Sequence, residues 1–243
     1  MKLIEMNQEE GRTLKDRNLT ALLPLGAVEV HANHLPIGTD LYLAQALTDK
    51  LEEKLGKENT LLLPALPYGQ VWSLREAPGT INISNDVLSG MIVQIGKSLE
   101  KAGIKRMAIV NTHVGNGDAM KMAARMLYDT CDIKVFLFTY PGAEEVIPNV
   151  CESPMPHKGY FHACEIETSY MLYLCPEWVD QSKAICQYPD FPENFDYTPT
   201  PWTDFMDTAV LGDAVSATRE KGEAIIEHVV NRMCEILEKE AIT

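Results

Sequence analysis

Residues 23–40 read Leu23-Pro24-Leu25-Gly26-Ala27-Val28-Glu29-Val30-His31-Ala32-Asn33-His34-Leu35-Pro36-Ile37-Gly38-Thr39-Asp40. The stretch opens as an apolar strand and breaks at Gly26. It then sets Glu29, His31, His34 and Asp40 on a loop shaped by Pro36 and Gly38. In extended backbone, side chains at i and i+2 point the same way, so Glu29 and His31 can address one locus. Carboxylates and imidazoles concentrated like this are the ligand set a divalent metal needs for hydrolytic chemistry. Each residue also has a plainer reading. Asp40 precedes a helical stripe, where a carboxylate is favoured as a cap, and a histidine beside an apolar strand is commonly a hydrogen-bonded core residue.

Working outward, Thr20–Leu25 is a short apolar run consistent with a buried strand. Apolar residues at 41, 43, 44, 47, 51 and 55 make a helical stripe, and 61–66 reads as a second strand closed by Pro67-Tyr68-Gly69. Asn85 and Asp86 cap a predicted helix that runs to Ala102, where Gly103 ends it. A third strand spans 107–110, with Asn111-Thr112-His113 at its carboxyl end; Gly117-Asp118 opens a helix to Asp129. Further elements are a strand at 135–138, a helix at 165–174 and a terminal helix at 213–239 capped by Asp213. Strand and helix alternate with short connections, which predicts a mostly parallel α/β sheet with helices on both faces. Such sheets hold ligands at the carboxyl ends of their strands, and the loops carrying His31 and His113 both fall there. The segment 187–204, rich in Pro, aromatic and acidic residues, is the long irregular insertion.

At 243 residues the chain is long enough for a sizeable core, and a single domain over 1–243 is expected. Apolar residues make up 46% and mean hydropathy is −0.12, which excludes a disordered chain. The net charge of −14, with no Lys/Arg cluster, argues against nucleic acid and for a small-molecule substrate. Cysteines at 131, 151, 164, 175, 186 and 234 form no CxxC pair and read as reduced thiols of a cytoplasmic enzyme. No apolar signal core follows Met1, and no run is long enough to span a membrane.

A third cluster is His162-Ala163-Cys164-Glu165-Ile166-Glu167-Thr168-Ser169. On a helix, Glu165 and Glu167 point about 200° apart, so only one can face a site. Glu167 shares a face with Met171 and Leu174, and a carboxylate among apolar residues needs a cation or a strong donor. Glu165 is expected to be solvated or to cap the first turn. His157 and His162, before this helix, are each a candidate proton carrier or a surface residue. Arg75 could bind an anionic group or be a solvated arginine, and Trp72 is a lid residue or a core one.

Together, residues 23–40, Pro67-Tyr68-Gly69, Pro78-Gly79-Thr80, Asn111-Thr112-His113-Val114-Gly115-Asn116, 162–169 and 212–222 resemble the creatininase (creatinine amidohydrolase) family. The resemblance implies a three-layer αβα sandwich, often assembled into homo-oligomeric hexamers, with one or two divalent ions, Zn, Mn or Fe. It implies Glu29, His31, Asp40 and His113 as metal ligands, with Asp40 bridging. It further implies His162 as a catalytic proton shuttle and Glu167 as the acid of the family's Glu-Thr-Ser motif, to be added to the ligands. His34 fits as a partner that orients a ligand. Gly115 departs from the pattern, because creatininases place a glutamate ligand there; Glu167 or a substrate oxygen must then complete the second site. No Trp lies in 141–160 to enclose creatinine, so creatinine is not the expected substrate. The Asn-Thr-His-Val-Gly-Asn form looks more like branches that deformylate a formamidopyrimidine nucleotide, trim a peptide cofactor precursor, or act in sugar and cyclitol catabolism.

A divalent ion held by carboxylates and imidazoles lowers the pKa of water from 15.7 toward ~7, giving hydroxide at neutral pH. The expected function is therefore metal-dependent hydrolysis of a C–N bond, in an amide or cyclic amide, by metal-activated hydroxide. The expected small-molecule substrate sits near Trp72 and Arg75, and His162 protonates the leaving nitrogen from a near-neutral pKa. Two alternatives stand beside it: hydrolysis of a lactone or cyclic ketone from carbohydrate breakdown, and metal binding without turnover.

Overall fold

The computed structural model describes residues 1–241, and within them strand and helix alternate as the sequence predicts. A short helix α1 (Gln8–Arg12) leads into β1 (Thr20–Leu25), α2 (Thr39–Leu55), β2 (Thr60–Leu62) and α3 (Asn85–Lys101). Then come β3 (Arg106–Asn111), α4 (Gly117–Thr130), β4 (Lys134–Thr139), α5 (Ala143–Val150) and α6 (Glu165–Leu174). A small antiparallel ribbon, β5 (Cys186–Gln187) with β6 (Gly212–Asp213), precedes the last helix, α7 (Arg219–Ala241).

The main sheet is four-stranded and parallel, in the order β2-β1-β3-β4. Alternation along the central strands divides the core. Ala21, Leu23, Leu25, Met107 and Ile109 pack with Leu88, Ile92, Ala123 and Leu127 of α3 and α4. Leu22, Ala108 and Val110 face the other way, onto Leu43 and Leu47 of α2, Tyr170 of α6 and Ile226 and Val229 of α7. With helices on both faces, the architecture is the expected three-layer αβα sandwich. Register decides where the chemistry lies: Leu25 pairs with Asn111, and Asn111 with Thr139. The loops leaving β1 and β3 therefore start level and side by side.

Several boundaries differ from expectation for local reasons. β2 stops at Leu62, not 66, because Pro64 has no N–H for the ladder. Beyond it the chain keeps only single contacts with β1, such as the Leu66 N–H donated to Pro24 O at 3.0 Å. α3 is capped by Ser84, whose hydroxyl accepts from the Val87 N–H, and not by Asn85 or Asp86. α7 begins at Arg219 and not at 213, because the Asp213 carboxylate is used in a turn, accepting from the Val215 N–H (2.8 Å) and the Ser216 hydroxyl (2.7 Å). Helix α5, which carries Pro148 within it, is not among the expected elements. The insertion 187–204 is irregular, as expected, and folds Phe191, Phe195 and Trp202 into a third apolar cluster with Val71, Leu74 and Leu211. All six cysteines are free. Among the described residues no helix is long and apolar enough to cross a membrane.

Candidate metal centre

The first turn of α2 is drawn against the end of β1 by Gly26. A Cβ there would lie 2.6 Å from Leu41 N and 2.8 Å from the Asp40 carbonyl carbon. Only glycine allows that approach, and the approach brings Asp40 beside Glu29 and His31. The Thr112 hydroxyl holds Asp40 from the β3 side by donating to its backbone carbonyl at 2.6 Å. Asn116 ties three loops together: it donates to Gly26 O (3.1 Å) and Asn111 Oδ1 (2.9 Å) and accepts from the Gln70 N–H (2.8 Å). The Asn111–Asn116 motif is thus the clamp that closes the loops around the site.

Three imidazoles converge, each fixed the same way. His31 Nδ1 donates to Glu29 O (2.9 Å), His113 Nε2 to Gln70 O (2.8 Å) and His162 Nε2 to Val30 O (2.7 Å). A carbonyl can only accept, so each bond sets the tautomer, and in the neutral ring the opposite nitrogen is a lone pair. Those inward nitrogens all face carboxylates. His31 Nε2 is 3.7 Å from Asp40 Oδ1 and 4.0 Å from Glu167 Oε1. His113 Nδ1 is 3.2 Å from Glu29 Oε2 and 3.3 Å from Asp40 Oδ2. His162 Nδ1 lies 3.9 Å from both Glu29 and Glu167. Anchoring one ring nitrogen on a carbonyl while presenting the other inward is the outer-shell arrangement of metal-ligating histidines.

The centre is buried: Glu29, His31, Asp40, His162 and Glu167 are each at most 6% exposed. His31 Nε2 and both Asp40 carboxylate oxygens are nonetheless without hydrogen-bond partners among the described residues. Orphaned acceptors facing one another in a low dielectric are costly unless a cation lies between them. Three donor sets could hold one, Glu29/His31/His162, Glu29/Asp40/His113 and His31/Asp40/Glu167, with the ligand atoms of each within 4.8 Å of one another. Asp40 belongs to the last two, with Oδ2 toward His113 and Oδ1 toward His31. It caps nothing; that role at the start of α2 falls to Gly38.

The charge states follow from the packing. Burial pushes the Glu29 carboxyl up, but His113 and His162 outweigh it and hold it at about 2. Burial lowers His113, yet Glu29 and Asp40 raise it well above the usual imidazole range. Glu167 is pushed up to about 7, first by burial and then, against His31, by Asp40. His162 is not near neutral as expected: burial and then His31 bring it down to about 4, so its ring is uncharged at pH 7. Strain marks the same place. Ala32 and Ala163, which directly follow His31 and His162, have φ of 56° and 48°, and the two rings lie 4.3 Å apart. A non-glycine residue held there costs on the order of 1 kcal/mol or more, a feature that clusters at functional sites.

The other predicted residues fall as follows. His34 is buried, with Nε2 2.9 Å from the hydroxyl of Thr168, the neighbour of Glu167, so it steadies the start of α6. Glu167 Oε2 accepts from the Ala163 N–H (2.6 Å), leaving Oε1 toward His31. Glu165 is neither solvated nor a cap: it is 1% exposed and bound to Lys221. Trp72 lines the cavity over the centre. Arg75 does not; its guanidinium stacks on Trp72 at 5.0 Å and pairs with Glu76 at 3.0 Å. His157 pairs with Asp196 (3.3 Å) among aromatic rings, away from the centre. Gln70, Tyr160 and Trp202 also line the cavity and were not foreseen. Of these only Trp202 carried a sequence signal, as part of the aromatic-rich insertion 187–204; Gln70 and Tyr160 carried none.

Comparison with known proteins agrees with this geometry. The family model for creatininase, creatinine amidohydrolase, matches residues 4–237. The chain belongs to the creatininase family. Members of this family are hydrolases acting on amide bonds. The chain is 28% identical to the creatinine amidohydrolase of Pseudomonas putida, over 90% of this chain and 88% of that one. It is 26% identical to the mycofactocin precursor peptide peptidase of Mycolicibacterium smegmatis, over 86% and 81%. Among solved structures, a manganese creatininase superposes with a TM-score of 0.81 at 26% identity, over 98% of both chains. A creatininase variant of zinc–zinc type gives 0.83 at 26% identity, over 98% and 97%.

Proposed function

We propose that this protein is a metal-dependent hydrolase of a C–N bond in a small-molecule amide or cyclic amide outside a peptide chain. The observation that carries the proposal is Asp40, whose buried, unpartnered oxygens are divided between two donor sets. Glu29, Asp40 and His113 would hold one divalent ion and His31, Asp40 and Glu167 a second, with zinc and manganese, the metals of the solved relatives, as candidates. Glu167 supplies the carboxylate that Gly115 cannot. Bound there, the ions supply Lewis-acid polarisation of a carbonyl and acidify water toward neutral pH.

The remaining work falls to side chains of the chain itself. His162, held by Val30 O through Nε2, is positioned to take a proton at Nδ1 from the attacking water and return it to the leaving nitrogen. Its uncharged ring suits the first of these steps. Burial beneath Trp202, whose ring centroid is 5.8 Å from that of His162, keeps bulk water from competing for the proton. Glu29 stays ionised and keeps His113 oriented.

Elemental analysis of protein purified without chelator or added metal, joined to an amide-hydrolysis panel, tests the reading. About two equivalents of metal per chain are expected. Asp40→Ala should lose metal and hydrolysis together. His162→Ala should keep its metal while turnover falls by about 10²–10⁴. Full metal occupancy in Asp40→Ala would overturn the bridging role.

A further inference from the structure

The centre lines a cavity of about 110 Å³, and beside it lies a groove of about 760 Å³. Gln70, Trp72, Gly115, Tyr160 and Trp202 line both, so the two spaces form one passage with an aromatic throat. A chamber of about 110 Å³ has room for the reacting group and little else, well below the ~300 Å³ at which pockets for whole drug-sized ligands begin. The larger space lies outward.

The throat is kept open by Gly115. A Cβ there would lie 2.4 Å from both Gln70 O and His113 Nε2, across the hydrogen bond that orients His113. The glycine therefore preserves that bond and leaves bare backbone on the wall of the passage. Trp202 is a fixed wall. It is 8% exposed, its backbone N–H donates to Ser73 O at 2.8 Å, and its ring meets Tyr160 edge-on at 6.0 Å. Trp72 is steadied by Arg75 stacked on its ring. Rigid aromatic faces give a large contact area for a flat or extended apolar group at low entropic cost. The outer groove adds Asp118, Lys121 and Thr200 beside Phe195 and Tyr197.

We infer that the substrate is an elongated amide: its scissile bond enters the inner chamber, and a planar or extended substituent runs past Trp72, Gly115 and Trp202 into the outer groove. This rests on the hydrolase reading of the inner chamber and adds a substituent subsite to it. A compact cyclic amide would leave the throat and groove empty.

Hydroxamates separate the two claims, because the head chelates metal and the tail can be varied. Binding to zinc-loaded protein is measured by calorimetry for acetohydroxamate and for two series carrying a phenylpropyl tail, one on the acyl carbon and one on the nitrogen. In at least one series the tail is expected to tighten binding tenfold or more. Trp72→Ala should remove most of that gain. Gly117→Phe should abolish it, because Gly117 lines the outer groove only, has a helical φ of −55°, and a Cβ on it meets nothing within 4 Å. Acetohydroxamate should bind Gly117→Phe as it binds wild type. Tails that add less than threefold in both series, or a gain that survives Gly117→Phe, would overturn the inference while leaving the hydrolase reading intact. Failure of acetohydroxamate to bind the loaded wild type would remove the hydrolase reading, and the substituent subsite with it.

Discussion

Glu165 holds α6 in place from outside the centre, and removing its charge should be felt in stability. Its carboxylate accepts from Lys221 Nζ at 2.5 Å, from the Ser153 N–H at 2.9 Å and from the Glu152 N–H at 3.1 Å. The side chains are 2% and 13% exposed, so this is a buried pair and not a surface one. Breaking such a pair on one side costs about 3–5 kcal/mol. Lys221 keeps Ser216 O at 2.8 Å and the exposed Glu152 at 3.5 Å, which reduces the cost of Glu165→Ala to about 2–3 kcal/mol. Glu165→Gln keeps an acceptor for the two N–H groups and should cost about 1–2 kcal/mol. At ~2–4 °C per kcal/mol for a chain of this size, the alanine variant should melt about 4–12 °C lower. The pH dependence has a fixed sign. Burial pushes the Glu165 carboxyl up, but Lys221 and the Ser153 and Glu152 N–H groups pull it below its ordinary value. A folded-state pKa below the unfolded one gives stabilisation that is complete above the unfolded value, about 4.3, and is lost as pH falls through the folded value. Urea unfolding of metal-stripped wild type and Glu165→Gln, at pH 7 and again below pH 4, reads both effects. A gap under about 0.5 kcal/mol at pH 7, where about 1–2 is expected, or one that fails to shrink in acid, would refute the reasoning. The paired Glu165→Met/Lys221→Met variant should recover the part of the loss due to the unpaired lysine, but not the part due to the Ser153 and Glu152 N–H groups left without their acceptor.

Two further outcomes concern the centre. Glu29 and Asp40 raise His113 well above the usual imidazole range, and a ligating imidazole must be neutral. Zinc titration of stripped protein at pH 7, in buffers of different ionisation enthalpy, should therefore show release of at least about one proton per chain, with apparent affinity rising with pH; binding without proton release would remove His113 from the ligand set. Gly115→Ala should leave the fold intact but displace Gln70 O from His113, lowering metal affinity about 10–100-fold in a competition assay with a fluorescent chelator. Unchanged affinity would mean the Gln70 carbonyl does not orient the ring.

What could be read from the sequence is what local geometry governs. The apolar run at Thr20–Leu25, the break at Gly26 and the Glu-x-His spacing place Glu29 and His31 together, because an extended chain repeats every two residues. Helical geometry allowed only one of Glu165 and Glu167 to face the site, and the company of Met171 favoured Glu167, which the structure places there. The same reasoning failed for Glu165, because its partner Lys221 lies 56 residues away on α7 and leaves no local trace. Arg75 failed differently: its neighbours Trp72 and Glu76 satisfy it before any substrate could. The hardest part to foresee is the set of groups that orient the imidazoles, since Glu29 O, Gln70 O and Val30 O are backbone carbonyls that almost any residue could supply. Side-chain identity is selected at the ligands and at glycines where a Cβ would collide, as at Gly26 and Gly115. Thr112, Asn116 and the His34–Thr168 pair add side-chain holds, and the remaining orienting contacts come from the path of the backbone. The Gly115 that looked like a lost ligand is therefore better understood as a steric requirement of the His113–Gln70 bond, and under the proposed metal-dependent reading Glu167 of α6 would supply the missing carboxylate.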